Sequence, residues 1–209
     1  MMQKLLIFPY NGNGLEALDC IGDQYQFIGF IDDMLEKQGI KDEGYTVFNR
    51  TILDTHPDAK ILAVPGSPAS FQEREKNIGS LHISEDRFIT LIHPSANIGK
   101  HVKLGLNCLI MAGVVITSNA SIGDHVCVLP NTVIHHDTVI EDYTLIGSSV
   151  VIAGGTHIGM NCYIGSGTTI INGVKIGDQV LIGLGSNVIN NIPTLSKSVG
   201  NPARQIKTS

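Results

Sequence analysis

The sequence predicts a small α/β unit with a parallel sheet over residues 1–91, a β-helix over residues 92–192 and a C-terminal tail over residues 193–209. Two observations predict this division. Segments with strand and helix character alternate in the first ninety residues, which is typical of a parallel sheet with helices packed on it. From Ile92 as far as Val188, an aliphatic residue returns at every sixth position.

The α/β unit opens with a buried strand at residues 4–9, "KLLIFP", and a glycine turn that starts a helix, "YNGNGLEALDCI". A second strand, "YQFIGFIDD", ends on Asp32 and Asp33. A strand at "AKILAVP" and a helix through "PASFQEREKNIGSL" follow, and Pro68 suits the first turn of that helix. A last strand at "RFITLI" feeds the second unit.

A glycine fingerprint lies in the first strand-to-helix turn. The segment Gly12-Asn13-Gly14-Leu15-Glu16-Ala17 matches GxGxxG/A, and Asp32 or Asp33 follows about twenty residues later. This pattern is typical of a dinucleotide site, but the unit has about half the size of a dinucleotide domain and offers no partner for hydride transfer. A tight turn that binds no ligand is the alternative.

The second unit is defined by its period of six, which excludes a helix face with 3.6 residues per turn and a single long strand with a period of two. A second, mostly small residue follows four positions after each aliphatic one. Short strands joined by tight corners fit both positions, and three hexads would form one triangular coil of 18 residues. The segment therefore predicts about five stacked coils. The aliphatic series is Ile92, Ile98, Leu104, Ile110, Ile116, Ile122, Val128, Ile134, Ile140, Ile146, Ile152, Ile158, Ile164, Ile170, Ile176, Ile182 and Val188.

Composition excludes several function classes. The net charge is -5 and no run is dense in Lys or Arg, so we expect no nucleic-acid partner and no anionic membrane surface. No apolar run approaches the ~20 residues of a membrane helix, and the start reads as a mature strand rather than a signal peptide. The cysteines at 20, 108, 127 and 162 form no CxxC or metal-ligand spacing and suit a cytoplasmic protein, although one disulfide pair stays open.

The chain resembles a known family at several places. The hexads, the entry "LIHPSANIGKHVKLG", the exit "SVGNPARQIK" and the segment "GFIDD" are similar to the hexapeptide-repeat acyltransferases. Within them, the chain is most similar to the sialic acid O-acetyltransferase and nucleotide-amino-sugar N-acetyltransferase group. The resemblance implies a left-handed β-helix, a homotrimer, acetyl-CoA as the acyl donor and a Rossmann-like first unit that holds a nucleotide-sugar.

The resemblance also assigns a nucleotide-sugar site. The turn of Gly12, Asn13 and Gly14 would offer backbone N–H groups to the ligand, and Asp32 and Asp33 would accept hydrogen bonds from its base or ribose. Family members usually have a histidine in this turn, where this chain has "YNGNG". The identity of the nucleotide is therefore left open by the sequence.

The stretch "TVIHHDTVIE" holds the candidate catalytic residues. In hexad register, His135, His136 and Asp137 occupy a corner between two strands. Family members carry a histidine followed by an acidic residue two positions after the aliphatic one, so the resemblance points to His136 as the general base. We interpret His135 as a solvated corner residue.

Stacking adds an argument that does not depend on the family. Gly154 and Gly155 follow His136 and Asp137 by 18 residues, so they should lie one coil above them. A glycine there leaves space for a thioester, and the Gly154 N–H would bind its carbonyl oxygen. His136 would take a proton from the attacking amine or hydroxyl, while Asp137 orients the ring. Cys127 is the nearest sulfur, and we interpret it as inert.

Together with these residues, the resemblance implies an acetyl-CoA-dependent transfer to an amino group of a nucleotide-linked sugar of the 4-amino-4,6-dideoxy type, for bacterial surface glycans. O-acetylation of sialic acid or a related sugar is the alternative, because Leu145 stands where the family often has a further histidine. A hydratase of the γ-carbonic-anhydrase type needs histidines five apart around zinc, which the chain lacks, so we expect no metal. A non-catalytic β-helix that binds a partner would not need a His-Asp pair under stacked glycines.

Overall fold

A computed structural model describes residues 2–41 and 43–206. Within them, twenty-four strands form four sheets, one in the first unit and three in the β-helix. Helices are short and lie in the first unit; they are α1 (Gly12–Glu16), α2 (Ile52–Thr55) and α3 (Arg74–Gly79). None of these described helices has the length and apolar character that a membrane crossing requires.

The first sheet is mixed, with the strand order β3-β4-β2-β1-β5. All its pairs are parallel except β3 with β4, an antiparallel pair at one edge that the sequence did not predict. The segment at "RFITLI" contributes one isolated bridge, from Phe88 to Ile61, before it enters the β-helix. The strands are β1 (Gln3–Phe8), β2 (Tyr25–Ile31), β3 (Gly39–Ile40), β4 (Thr46–Phe48) and β5 (Lys60–Ala63).

The predicted helix through residues 68–81 begins later than Pro68 indicated. A turn precedes it in which Ser67 Oγ accepts from the Ala69 N–H at 3.3 Å and the Ser70 N–H donates to the Ser67 carbonyl at 3.1 Å. Such local hydrogen bonds compete with helix formation. A 3₁₀ turn over Phe71–Glu73 then leads into α3.

Residues 91–188 form a left-handed parallel β-helix of two-residue strands, which confirms the predicted fold class. Up to residue 170, each strand pairs in parallel with the strand 18 residues later, as Val115 does with Val133 and Val133 with Val151. The strands are β6 (Leu91–Ile92), β7 (Asn97–Ile98), β8 (Lys103–Leu104), β9 (Leu109–Ile110), β10 (Val115–Ile116), β11 (Ser121–Ile122), β12 (Cys127–Val128), β13 (Val133–Ile134), β14 (Val139–Ile140), β15 (Leu145–Ile146), β16 (Val151–Ile152), β17 (His157–Ile158), β18 (Tyr163–Ile164), β19 (Thr169–Ile170), β20 (Lys175–Ile176), β21 (Leu181–Ile182) and β22 (Asn187–Val188).

The β-helix has three faces. The first face consists of β6, β9, β12, β15, β18 and β21, the second of β7, β10, β13, β16, β19 and β22, and the third of β8, β11, β14, β17 and β20. Two strands after residue 192, β23 (Lys197–Val199) and β24 (Arg204–Ile206), extend the first face. β23 is parallel to β21, whereas β24 is antiparallel to β23.

The interior of the β-helix is built from the two hexad positions. The aliphatic residues from Ile110 to Val188 are buried, and so are the small ones between them. The hydroxyl groups of buried threonines form hydrogen bonds with the backbone. Thr132, for example, donates to the Gly147 carbonyl at 2.8 Å. Ile92 departs from the expectation with 39% exposure, because no coil precedes the first one.

The first unit packs on the outer side of the first face. Residues that point away from the triangular interior there, among them Cys127 and Leu145, are buried against Leu5, Ile7 and Phe30 of the first sheet. One hydrophobic core therefore joins the two units. The corner between the second and third faces lies opposite this contact.

Candidate active site

His136 and Asp137 lie at the corner between β13 and β14, where the second face meets the third. Asp137 has φ +58°, a left-handed conformation that turns the chain, and its N–H donates to the Ser118 carbonyl at 3.1 Å. Asp and Asn tolerate this conformation better than most residues. The sharp corner lets two adjacent side chains meet.

The His136 imidazole is oriented by a carboxylate. Its Nδ1 lies 2.7 Å from Asp137 Oδ2, and Asn119 Nδ2 donates to the other carboxylate oxygen at 3.2 Å. Hydrogen bonds from His136 first and Asn119 second hold the pKa of Asp137 below its usual range. An ionised Asp137 accepts the Nδ1 proton, which leaves Nε2 with a lone pair. The side chain of His136 is 60% exposed, so a substrate can reach Nε2.

Gly154 lies directly over the His136 ring. A Cβ on Gly154 would be 2.6 Å from both Cε1 and Nε2 of His136, closer than any real side-chain contact. The Gly155 N–H donates to the His136 carbonyl at 2.9 Å, so the two corners are in register. Any side chain at position 154 would displace the imidazole.

Among the residues that the structure describes, the Gly154 amide lacks the side-chain acceptor that some of the equivalent corner amides have in the next coil. At four equivalent positions, the backbone N–H donates to a side-chain oxygen 18 residues later. These bonds run from Leu106 to Asp124, from Asp124 to Asp142, from Ser148 to Ser166 and from Met160 to Asp178. The Gly154 N–H has no such acceptor within residues 2–41 and 43–206. It is therefore a free donor above the imidazole.

His135 takes no part in this arrangement. It is half-buried, and its N–H donates to the Ile152 carbonyl at 2.9 Å as part of the strand ladder. Cys127, the nearest sulfur considered, is fully buried on the first face, and burial raises the pKa of its thiol to about 12.

A cavity of about 520 Å³ lies at the carboxyl ends of β1, β2 and β5 in the first unit. Its lining includes Gly12, Asn13, Asp32 and Asp33 from the predicted nucleotide site. Gly14 lies behind them: it is buried, its N–H donates to Asn11 Oδ1 at 2.8 Å, and a Cβ there would be 2.6 Å from the Pro9 carbonyl. Gly14 therefore allows close packing of α1, while Gly12 and Asn13 face the cavity.

The two aspartates differ in their environment. Asp32 is 3% exposed and accepts from the N–H groups of Tyr10 and Met34, at 3.2 and 3.0 Å, and from Lys37 Nζ at 3.0 Å. It holds the cavity wall together. Asp33 is half exposed and forms a two-pronged ion pair with Arg50, with distances of 2.6 and 2.7 Å.

The fold does not bring the two groups of site residues together within one chain. The cavity belongs to the unit on the first face, whereas His136 lies on the opposite corner. None of the β-helix residues described lines the cavity. The described residues also hold no group of three or more His, Cys, Asp or Glu side chains suited to a metal.

Sequence reasoning missed Asn119 and Arg50. Asn119 precedes Asp137 by one 18-residue coil, so the repeat could have revealed it. Arg50 reaches Asp33 from a loop after β4, and no local pattern signals that contact.

Family models match the β-helix. The model described as "Bacterial transferase hexapeptide (six repeats)" matches residues 119–154, and "Hexapeptide repeat of succinyl-transferase" matches residues 96–118 and 137–172. No curated protein matches the chain.

Solved structures match over the whole chain. The acetyltransferase domain of PglB from Neisseria gonorrhoeae FA1090 is 25% identical, with a TM-score of 0.84 over 98% of this chain and 100% of that one. The same domain in complex with acetyl coenzyme A has 24% identity and a TM-score of 0.85, over 99% and 100%. A mutant perosamine N-acetyltransferase from Caulobacter crescentus, in complex with CoA and GDP-perosamine, has 21% identity and a TM-score of 0.84, over 100% and 98%.

These matches confirm the resemblance to hexapeptide-repeat acyltransferases that the sequence predicted. Residues 96–172 are hexapeptide repeats of the bacterial transferase type, within a fold shared with structurally known acetyltransferases.

Proposed function

We propose that this protein transfers the acetyl group of acetyl-CoA to an amino group of a nucleotide-linked sugar of the 4-amino-4,6-dideoxy type, for bacterial surface-glycan biosynthesis. One observation carries the proposal: the Asp137-oriented imidazole of His136 lies beneath the unencumbered backbone of Gly154. Three chemical elements that acyl transfer requires are thereby adjacent, namely a base, its orienting carboxylate and a free amide donor.

The residues define the steps. His136 Nε2 accepts the proton of the sugar amine as its nitrogen attacks the thioester carbonyl carbon. The Gly154 N–H donates to the carbonyl oxygen as negative charge develops there. Asp137 stabilises the imidazolium, which then gives its proton to the departing CoA sulfur. The amide forms, the thioester bond breaks, and His136 returns to its neutral form without a covalent enzyme intermediate.

The cavity of the first unit is the proposed nucleotide site. Gly12 and Asn13 contribute backbone N–H groups at its rim, and Asp33 contributes a partly exposed carboxylate for a base or ribose. Asp32 supports this wall rather than binding the ligand directly, because its oxygens already accept three hydrogen bonds.

A homotrimer is part of the proposal. Cavity and imidazole lie on opposite sides of one chain, so a sugar held in the cavity would meet the His136 of a neighbouring copy. Apolar side chains at the second and third faces support such an assembly: Val151 is 37% exposed and Val139 39% exposed, with Val115 and Val133 half-buried beside them. A parallel arrangement of three copies would cover this surface.

The solved structures support the choice of ligands. Those of the PglB domain and of perosamine N-acetyltransferase contain acetyl coenzyme A in one case and CoA with GDP-perosamine in the other. By similarity, we propose acetyl-CoA and a nucleotide-sugar here. The four free, buried cysteines favour a cytoplasmic location.

The test is a screen with acetyl-CoA and UDP-, GDP- and dTDP-linked 4-amino sugars, compared with CMP- and free sialic acid. Thiol release and mass spectrometry of the product report the reaction. We expect an N-acetylated nucleotide-sugar whose acetyl group resists hydroxylamine. A hydroxylamine-sensitive product on sialic acid would establish the O-acetyl alternative instead. If none of the acceptors in the panel supported thiol release, both assignments would be contradicted.

A further inference from the structure

Arg74 is fully buried between the two units, at the first residue of α3. Its Nε donates to the Tyr143 carbonyl at 2.8 Å, its Nη2 donates to the His125 carbonyl at 2.6 Å, and its Nη1 donates to the Pro65 carbonyl. The guanidinium therefore connects the same corner of two successive coils of the β-helix to the loop that follows β5.

The charge of Arg74 has no carboxylate partner among the residues that the structure describes. Lys37, which lines the cavity, is neutralised by Asp32 at 3.0 Å, and Arg50 is neutralised by the cavity residue Asp33 at 2.6 Å. Burial lowers the pKa of Arg74, but a guanidinium stays protonated in proteins. A positive charge held only by carbonyl oxygens keeps much of its field in a buried environment.

The Pro65–Gly66 peptide contacts this charge and lines the cavity. Gly66 lines the cavity, has φ +124° and lies so close to the guanidinium that a Cβ there would be 3.2 Å from Arg74 Nη1. Arg74 donates to the carbonyl of the Pro65–Gly66 peptide, whose N–H belongs to Gly66. That N–H has no acceptor in the described part of the chain. A hydrogen bond to the carbonyl of a peptide strengthens its N–H as a donor.

We infer that Arg74 is a positioning residue that makes the Pro65–Gly66 wall a binding surface for phosphate oxygens. It would thereby set the preference of the cavity for a nucleoside diphosphate over the uncharged nucleoside. The inference rests on the proposed function, which assigns a nucleotide-sugar to this cavity, and deepens it by naming the source of the positive potential.

The experiment compares calorimetric affinities of the full-length protein for GDP, UDP and dTDP with those for guanosine, uridine and thymidine. In the wild type, the diphosphate that binds best should bind more tightly than its nucleoside. Arg74→Met removes the charge at similar length, and the ratio of the two affinities should fall roughly tenfold or more. If Arg74 had a merely structural role, Arg74→Met would weaken the binding of the diphosphate and of the nucleoside equally. The ratio of the two affinities would then stay unchanged, which would overturn the inference.

Two further variants sharpen the result. Lys37→Met removes a cation that Asp32 already neutralises, so it should reduce the ratio less than Arg74→Met does; the reverse order would contradict the inference. Arg74→Lys keeps the charge, and it should retain most of the diphosphate preference even if Arg74→Met does not fold. A folded Arg74→Lys protein without that preference would count against the inference.

Thiol release from acetyl-CoA with the nucleotide-sugar acceptor is measured in parallel on the wild type. Turnover together with an unchanged affinity ratio in Arg74→Met would reject the role of Arg74 and leave the proposed function standing. A wild type that binds no diphosphate more tightly than its nucleoside would also reject that role, while the acceptor screen judges the transfer reaction separately.

Discussion

The Nδ1 atom of His136 lies 2.7 Å from Oδ2 of Asp137, its neighbour in sequence. Adjacent side chains in a strand point to opposite sides, so this contact depends on the left-handed turn at Asp137. The pair is repeated nowhere else in the described β-helix as a contact between adjacent residues; the other His-carboxylate pair joins His157 to Glu141 across coils, at 2.7 Å. The corner geometry thus sets His136 apart from the other histidines.

His136→Ala should lower turnover by roughly 10²–10⁴-fold, the range typical of losing a general base. Affinity for acetyl-CoA should change little, because the imidazole acts mainly in the transition state. The turnover of Asp137→Asn should lie between those of the wild type and His136→Ala, since an amide can hold the ring but cannot balance its charge. Steady-state thiol release measures the turnover of the wild type and of both variants. His135→Ala is the matched control and should stay within several-fold of the wild type; a larger loss there would refute the assignment.

Gly154→Val should abolish transfer although it keeps both histidines, because its Cβ would be 2.6 Å from the imidazole. Circular dichroism should show an intact β-helix. Gly185→Asn is the control: Gly185 has φ +63° with no atom near its Cβ direction and lies at a different corner. Asparagine tolerates this conformation, so its turnover should match the wild type. Acetyl transfer by Gly154→Val would refute the proposed role of the Gly154 backbone.

Asp33→Ala should raise the Michaelis constant for the nucleotide-sugar and leave that for acetyl-CoA nearly unchanged, because separate units would hold the two ligands. Asp32→Ala should instead reduce the free energy of unfolding by roughly 1–3 kcal/mol, since it leaves the Tyr10 and Met34 amides without their acceptor. Steady-state kinetics and thermal unfolding distinguish the two effects. An equal increase of both Michaelis constants in Asp33→Ala would argue against separate sites.

Light scattering at micromolar concentration should give the mass of three chains. Val151→Asp places a charge on the second face, in line with Val115 and Val133, and should shift the protein toward the monomer, because burying an unpaired charge is costly. Thr169 is the exposed residue that pairs with Val151 in the next coil, and Thr169→Asp tests how far the contact between copies extends. A wild-type monomer would refute the trimer.

The four cysteines should resist thiol reagents at pH 8 until the protein unfolds. All are free and buried, and burial raises the pKa of Cys20 and Cys108 to about 11 and that of Cys127 and Cys162 to about 12. A raised folded-state pKa means that stability is fully present below the unfolded value of 9.0 and is lost as pH rises toward 11–12. Unfolding monitored from pH 8 to 11 measures this loss. Rapid labelling of any native cysteine at pH 8 would contradict the burial.

Sequence alone determined the register of the candidate catalytic corner. Parallel coils stack in register, so a separation of 18 residues along the chain becomes a distance of one strand spacing in the structure. That relationship placed Gly154 above His136, and it equally explains the contact between Asn119 and Asp137. In a periodic sequence, contacts between distant residues can be predicted, because the residue in the adjacent coil always lies 18 positions away along the chain.

Only the tertiary structure decided how the two units meet and what surrounds the residues of the proposed nucleotide site. The contacts of Asp33 with Arg50 and of Arg74 with Tyr143 join segments at separations with no period, so no offset predicts them. The same packing buries Leu145 beneath the first sheet and leaves His136 on the opposite corner. These outcomes depend on which face of the β-helix offers the best apolar surface to the first sheet, a property of two assembled surfaces rather than of any local stretch of sequence.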